Sequence, residues 1–251
     1  MPAGAFAYAQ ARLQARLGMR PDEVVWDTLH GLVELSALLE QMRATSLRHW
    51  ITNISATTAP HEIERVLRAR LRTQIVEAAG WLPGPWRAAV LWTQVLIDLP
   101  AVAYLLRGEP AYGWMRDEPT LRDLATVEPA LRERALVQGP LAVFAGRTVD
   151  ETLLTRWLSE WQRRWPRTHE RAALTELITA VQAHRAALAA SLHDPTAWAA
   201  RHALETRVLH IFRRAFLSPV AVFAWLLLAA LEAERLRAEL AARSHFPPVA
   251  V

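Results

Sequence analysis

One uncharged stretch limits what this chain can become. In Ser218–Arg243, SPVAVFAWLLLAALEAERLRAELAAR, no charge occurs between Val220 and Leu231. A helix there is apolar on every side, and such a helix has to be enclosed by other elements. Ser218 suits the N-cap, where its hydroxyl accepts from a first-turn N–H. Pro219 suits the first helical position, where its missing N–H costs nothing. The apolar run Pro219–Leu231 has 13 residues, short of the ~20 a bilayer span needs. It predicts a core helix around which the rest is packed. From Glu232 onward Glu and Arg alternate, so that half is expected to reach solvent or a polar partner.

Composition agrees with a packed helical protein. Of the 251 residues, 52% are hydrophobic and only 9 are Gly, and Leu, Ala, Arg and Glu are strong helix formers. The length allows one large domain or two small ones. The pI of 10.4 accompanies a net charge of only +4, because the chain has no Lys or Cys and 3 Tyr, leaving little to titrate below the Arg range. The Arg residues are interleaved with Glu and Asp, whereas a nucleic-acid binder should cluster them on one face. With no Cys there is no disulfide or thiol chemistry. The N-terminus lacks a basic segment before a long apolar run, so no secretory signal is expected, and Asn53-Ile54-Ser55 is a chance glycosylation match.

In order along the chain, Phe6–Leu17 reads as a helix stopped by Gly18, with Tyr8, Arg12 and Arg16 on one face. Pro21–Met42 is helical with a break at Gly31. Thr45 opens a short piece through Trp50, and a polar loop leads to a helix from Pro60 to Ala79, where Arg65, Arg68 and Arg72 share a side that solvent would suit. Trp81–Trp86 is a turn. A helix from Trp86 toward Leu106 is expected to be disturbed at Pro100. Gly108–Gly146 carries four Pro and admits only short helices. Thr148–Glu151 has the form of a capping box. The helix it opens bears Trp157, Trp161 and Trp165 on one face, a stripe that suits core or interface packing. Leu174, Leu177, Ile178 and Val181 mark the next helix, expected to pair with the previous one across Trp165-Pro166. Asp194-Pro195 then caps a helix lined by Leu204, Val208, Ile211, Phe212 and Ala215.

Three short motifs carry a resemblance. At the C-terminal end, Trp225 is followed by Glu232 and then Arg235-Leu236-Arg237. At the N-terminal end, Tyr8 is followed by Ala11-Arg12 and Arg16. Internally, Asp98 is followed by Ala101 and by Leu105-Leu106-Arg107. This pattern resembles the C subunit of vacuolar- and archaeal-type rotary ATPases (subunit d in eukaryotes), of which the chain would be a short, divergent member. The family's usual Tyr is Trp225 here, and its two Asn positions are Ala101 and Arg235.

The resemblance implies a non-catalytic connector at the cytoplasmic face of the membrane. It would couple the central shaft of a proton- or sodium-translocating ATPase to the membrane rotor ring, with no nucleotide and no cofactor. Tyr8, Arg12, Arg16, Glu232, Arg235 and Arg237 are then the expected partner-binding residues. It also implies helical hairpin repeats: one all-α domain over 1–251, with possible units 1–107, 108–193 and 194–251.

The residues themselves give no catalytic constellation. There is no Gly-rich phosphate loop, no HExxH and no nucleophile elbow. The 9 His are dispersed, and His202 and His210 lie two turns apart, poorly spaced for a metal. Glu232 and Glu234 do not share a helical face. A helical adaptor or regulator docking on another membrane-associated complex is the alternative. An α-helical enzyme with a pocket between hairpins and an Arg-driven RNA binder are further readings.

Overall fold

The computed structural model describes residues 3–146, 152–190 and 196–245. The chain is all-α: thirteen α-helices and four 3₁₀ turns, with no strand among the described residues. The α-helices are α1 (Ala7–Gly18), α2 (Glu23–His30), α3 (Leu35–Arg43), α4 (Pro60–Trp81), α5 (Gly84–Trp92), α6 (Val95–Leu106), α7 (Gly113–Asp117), α8 (Arg122–Thr126), α9 (Arg132–Gln138), α10 (Leu153–Arg163), α11 (Arg171–Ala190), α12 (Thr196–Arg214) and α13 (Pro219–His245). They form two compact units, one of Met1–Pro83 with Thr168–Val251 and one of Gly84–Arg167. These boundaries fall elsewhere than the expected Arg107 and His193: within the first unit α11 packs on α12 and α13.

In the first unit α13 is the central element, flanked by α12 and α4 and touched by α1, α3 and α11. Its uncharged half is enclosed as its sequence requires: Val220, Ala221, Ala224 and Leu228 are inaccessible to solvent. Ser218 caps it, accepting from the Val220 N–H at 3.1 Å. Just before it Leu217 turns the chain at φ 56°, a left-handed conformation uncommon for any residue but Gly. The Leu217 N–H donates to Gln10 Oε1 at 3.2 Å.

The charged half of α13 is less exposed than expected. Ala233, Leu236 and Leu240 close a second part of the core with Trp26, Leu38, Trp50 and Ile63. At spacings of three and four they form a narrow apolar seam, while the Glu and Arg residues occupy the flanks. Arg243 then reaches back to α2, its guanidinium donating to the Leu29, His30 and Leu32 carbonyls at 3.2, 3.0 and 2.6 Å. These carbonyls lie at the C-terminus of α2, where such groups have no helical partner.

The second unit is built on aromatic packing. The Trp92 and Trp157 indoles each donate to the other's backbone carbonyl, at 3.1 and 3.2 Å. Trp157, Trp161 and Trp165 are all buried, Trp157 stacked on Trp161 at 5.6 Å and Trp161 edge-on to Trp165 at 4.9 Å. The Trp stripe is therefore core packing. The helix expected from Trp86 to Leu106 breaks at Thr93–Gln94, not at Pro100. Thr93 Oγ1 caps back to the Val90 carbonyl at 2.7 Å, and with the restart at Val95 the proline lies in the second turn of α6 and removes a single ladder bond. Arg132, buried at the end of α6, donates to the Leu105 and Glu109 carbonyls at 2.7 and 2.6 Å.

The capping box expected at Thr148–Glu151 and the cap expected at Asp194-Pro195 lie outside the described residues. α10 is capped instead by Thr152, whose hydroxyl accepts from the Thr155 N–H at 3.2 Å. Among the described residues no single helix is long and apolar enough to cross a membrane. α5 and α6 pass on length and composition only as a pair bent by 40°, and Trp86, Val90, Trp92, Val102 and Leu105 of that pair are buried within the unit.

Candidate functional site

The opening and closing motifs, at opposite ends of the sequence, meet on α4. The helical spacing of Tyr8, Arg12 and Arg16 puts the two guanidiniums over the Trp81 ring, each 5.4 Å from its centroid. Trp81 in turn lies against Trp225 at 6.0 Å. Arg16 also pairs with Glu77 at 2.6 Å. Tyr8 is not drawn into this junction and stays 61% exposed.

The three charged residues of the closing motif separate. Glu232 is only 7% exposed. It accepts from the Trp50 indole N–H at 2.6 Å and from Arg20 Nε at 3.3 Å, and Arg20 reaches on to Glu205 at 2.7 Å. A carboxylate without such partners would not remain buried and charged. Of the two expectations for this half of the helix, solvent or a polar partner, Glu232 meets the second, with its partners inside the chain.

Arg235 is also engaged within the unit. It contacts both Glu23 carboxylate oxygens, at 3.0–3.1 Å, and lies 4.4 Å from the Trp26 ring centroid. The hydrogen bonds from Arg235 hold the Glu23 carboxyl below its usual range, since they favour the charged form. Arg237 is the exposed member, 54% accessible and 4.0 Å from Glu64.

Beside the junction lies a cavity of about 620 Å³. Four segments line it: Arg16 of α1 with Met19 and Arg20 just beyond its end; Arg70, Thr73, Gln74 and Glu77 of α4; Trp225, Ala229 and Glu232 of α13; and Ala44–Ser46 with Arg48 and His49 between α3 and α4. His49 has its polar positions defined. Nδ1 donates to the Ser46 carbonyl at 2.7 Å, so in the neutral ring Nε2 accepts from Gln74 Nε2 at 3.3 Å.

Among the described residues no group of three or more His, Cys, Asp and Glu could hold a metal, and His202 and His210 are both exposed. What the arrangement presents is a guanidinium-rich socket that also includes the apolar Met19, Trp225 and Ala229 in its lining. Sequence reasoning found Arg16, Trp225 and Glu232 of it. It missed Arg20, Arg48 and Arg70, which belong to no motif and converge only through packing. Arg70 and Gln74, one turn apart among the α4 arginines, were the available signal. No family model, curated protein or solved structure matches the chain.

Proposed function

We propose that this chain is a non-catalytic, peripheral connector subunit of a vacuolar/archaeal-type proton- or sodium-translocating rotary ATPase, joining the central shaft to the membrane rotor ring at the cytoplasmic face. One observation carries the proposal. The residues that resemble the family's opening and closing motifs, Arg12, Arg16 and Trp225, converge on the single side chain Trp81. Convergence of the two motifs on one ring is what a shared interface would require. A connector that transmits torque also has to be stiff, and an all-helical body whose α13 is enclosed by α12 and α4 suits that task.

A tagged copy of the chain, expressed in its own host and captured from mildly solubilised membranes, tests the proposal. Shaft and ring subunits of a rotary ATPase are expected to co-purify, and the isolated chain is expected to hydrolyse no ATP. Capture of a different membrane complex, with no ATPase subunit, would replace this reading with the alternative of a helical adaptor. That alternative has its own support. Glu232 and Arg235 are committed to Trp50 and Glu23 within the chain, which leaves Tyr8, Arg12 and Arg237 as the exposed members of the two motifs.

A further inference from the structure

Arg48 and Arg70 differ from the other arginines of the cavity. Arg16 is paired with Glu77, and Arg20 with Glu205 and Glu232. Arg48 and Arg70 have no carboxylate partner among the described residues, yet both line the same wall space. Four arginines against two glutamates leave two positive charges facing one cavity. A guanidinium presents a planar fork of donors that matches the oxygens of phosphate.

The cavity is also much larger than an inorganic ion, and about 620 Å³ lies in the range of pockets that hold small organic ligands. Met19, Trp225 and Ala229 in its lining are apolar, so charge alone does not account for the cavity. We infer that this cavity is a binding site for a phosphomonoester, its phosphate held by Arg48 and Arg70 and its organic part resting against Met19 and Trp225. Thr73 and Gln74 stand on the same face of α4 as Arg70 and border the phosphate end. The source of the phosphate is either a soluble ester or the headgroup of an anionic lipid. Both present the same group to the arginines.

Calorimetric titration of the full chain with phenyl phosphate and with inorganic phosphate tests the inference, alongside sedimentation with vesicles of equimolar phosphatidic acid and phosphatidylcholine. Phenyl phosphate is expected to bind saturably and more tightly than inorganic phosphate. The double variant Arg48→Gln/Arg70→Gln should weaken binding by at least about tenfold, in keeping with lost charge-assisted hydrogen bonds. Among the described residues neither guanidinium has a carboxylate to strand, so folding should be unaffected. Thr73→Glu, on an exposed position of α4, should have the same effect through charge, while Arg134→Gln in the other unit should have none.

Vesicle retention lost in the double variant assigns the phosphate to a lipid. Phenyl phosphate binding without vesicle retention assigns it to a soluble ester, and both outcomes support the site. Absence of saturable binding by every probe, or binding that the double variant leaves unchanged, overturns it. An acidic peptide that binds the cavity while phenyl phosphate does not also overturns it. These measurements use the isolated chain, so their outcome is separate from that of the capture experiment.

Discussion

Glu232 is the residue at which position and environment diverge most. It begins the charged half of α13, yet its carboxylate is enclosed and bound to Trp50 and Arg20. Glu232→Ala is expected to destabilise by about 3 kcal/mol, because removing one member of a buried network leaves the Trp50 N–H without its acceptor and Arg20 with Glu205 as its remaining carboxylate. Urea denaturation of the variant and the parent measures it. Arg237→Ala, five positions on and exposed, should stay within about 0.5 kcal/mol, so the two substitutions distinguish a folding role from a surface role within one motif. Trp225→Ala should cost about 3–5 kcal/mol, as a large buried aromatic is lost. It should also change the fluorescence of the remaining tryptophans, since Trp81 loses its neighbour at 6.0 Å. A Trp225→Ala protein with an unchanged melting temperature would contradict the enclosed position of that ring.

At the scale of elements, α13 works as two helices in one. Its first half is buried on all sides, and its second half is held by the seam of Ala233, Leu236 and Leu240 with charged flanks. Leu236→Ala is expected to cost about 2–5 kcal/mol, the range for a buried leucine truncated in a packed core, whereas its charged neighbours suggest a tolerant position. Thermal unfolding checks this directly, and a shift of less than a degree or two would mean that the seam does not hold the helix end. Helix α4 shows the same division of labour. Ile63, Leu67, Ile75 and Ala78 enter the core, while Arg65 and Arg68 pair along the surface with Glu62 and Glu64 at 2.7 and 2.8 Å.

Across the whole molecule, acid sensitivity should come from carboxylates held by arginine. Glu160 in α10 is 7% exposed and contacts Arg163 and Arg164, each at 2.7 Å. The hydrogen bond from Arg163, ahead of the charge of Arg164, lowers its pKa below the ordinary 4.5. A carboxyl whose folded pKa is depressed adds stability above its unfolded value and loses that stability as pH falls through the folded one. The urea midpoint is therefore expected to fall below about pH 4.5, and Glu160→Gln should show a shallower fall than the parent. An identical pH profile in the two proteins would remove Glu160 from the account. Glu23, lowered by Arg235, acts in the same direction in the other unit.

The sequence by itself determined the helical class, the enclosed first half of α13, its Ser218 cap, the breaks near Gly18 and Gly31 and the buried Trp157–Trp161–Trp165 stripe. Each follows from local chemistry: periodicity, a capping hydroxyl, or a residue that cannot continue a helix. The break at Thr93–Gln94 was not legible, because Pro100 is the stronger local signal and only packing decides where the bend falls. Tertiary structure alone decided that Glu232 turns inward, that α11 joins α12 and α13, and that Arg48 and Arg70 face one cavity with Trp225. Those outcomes depend on partners far away in the chain. A side chain's own neighbours fix its helix and its face, but not which charge or ring will be waiting on the other side.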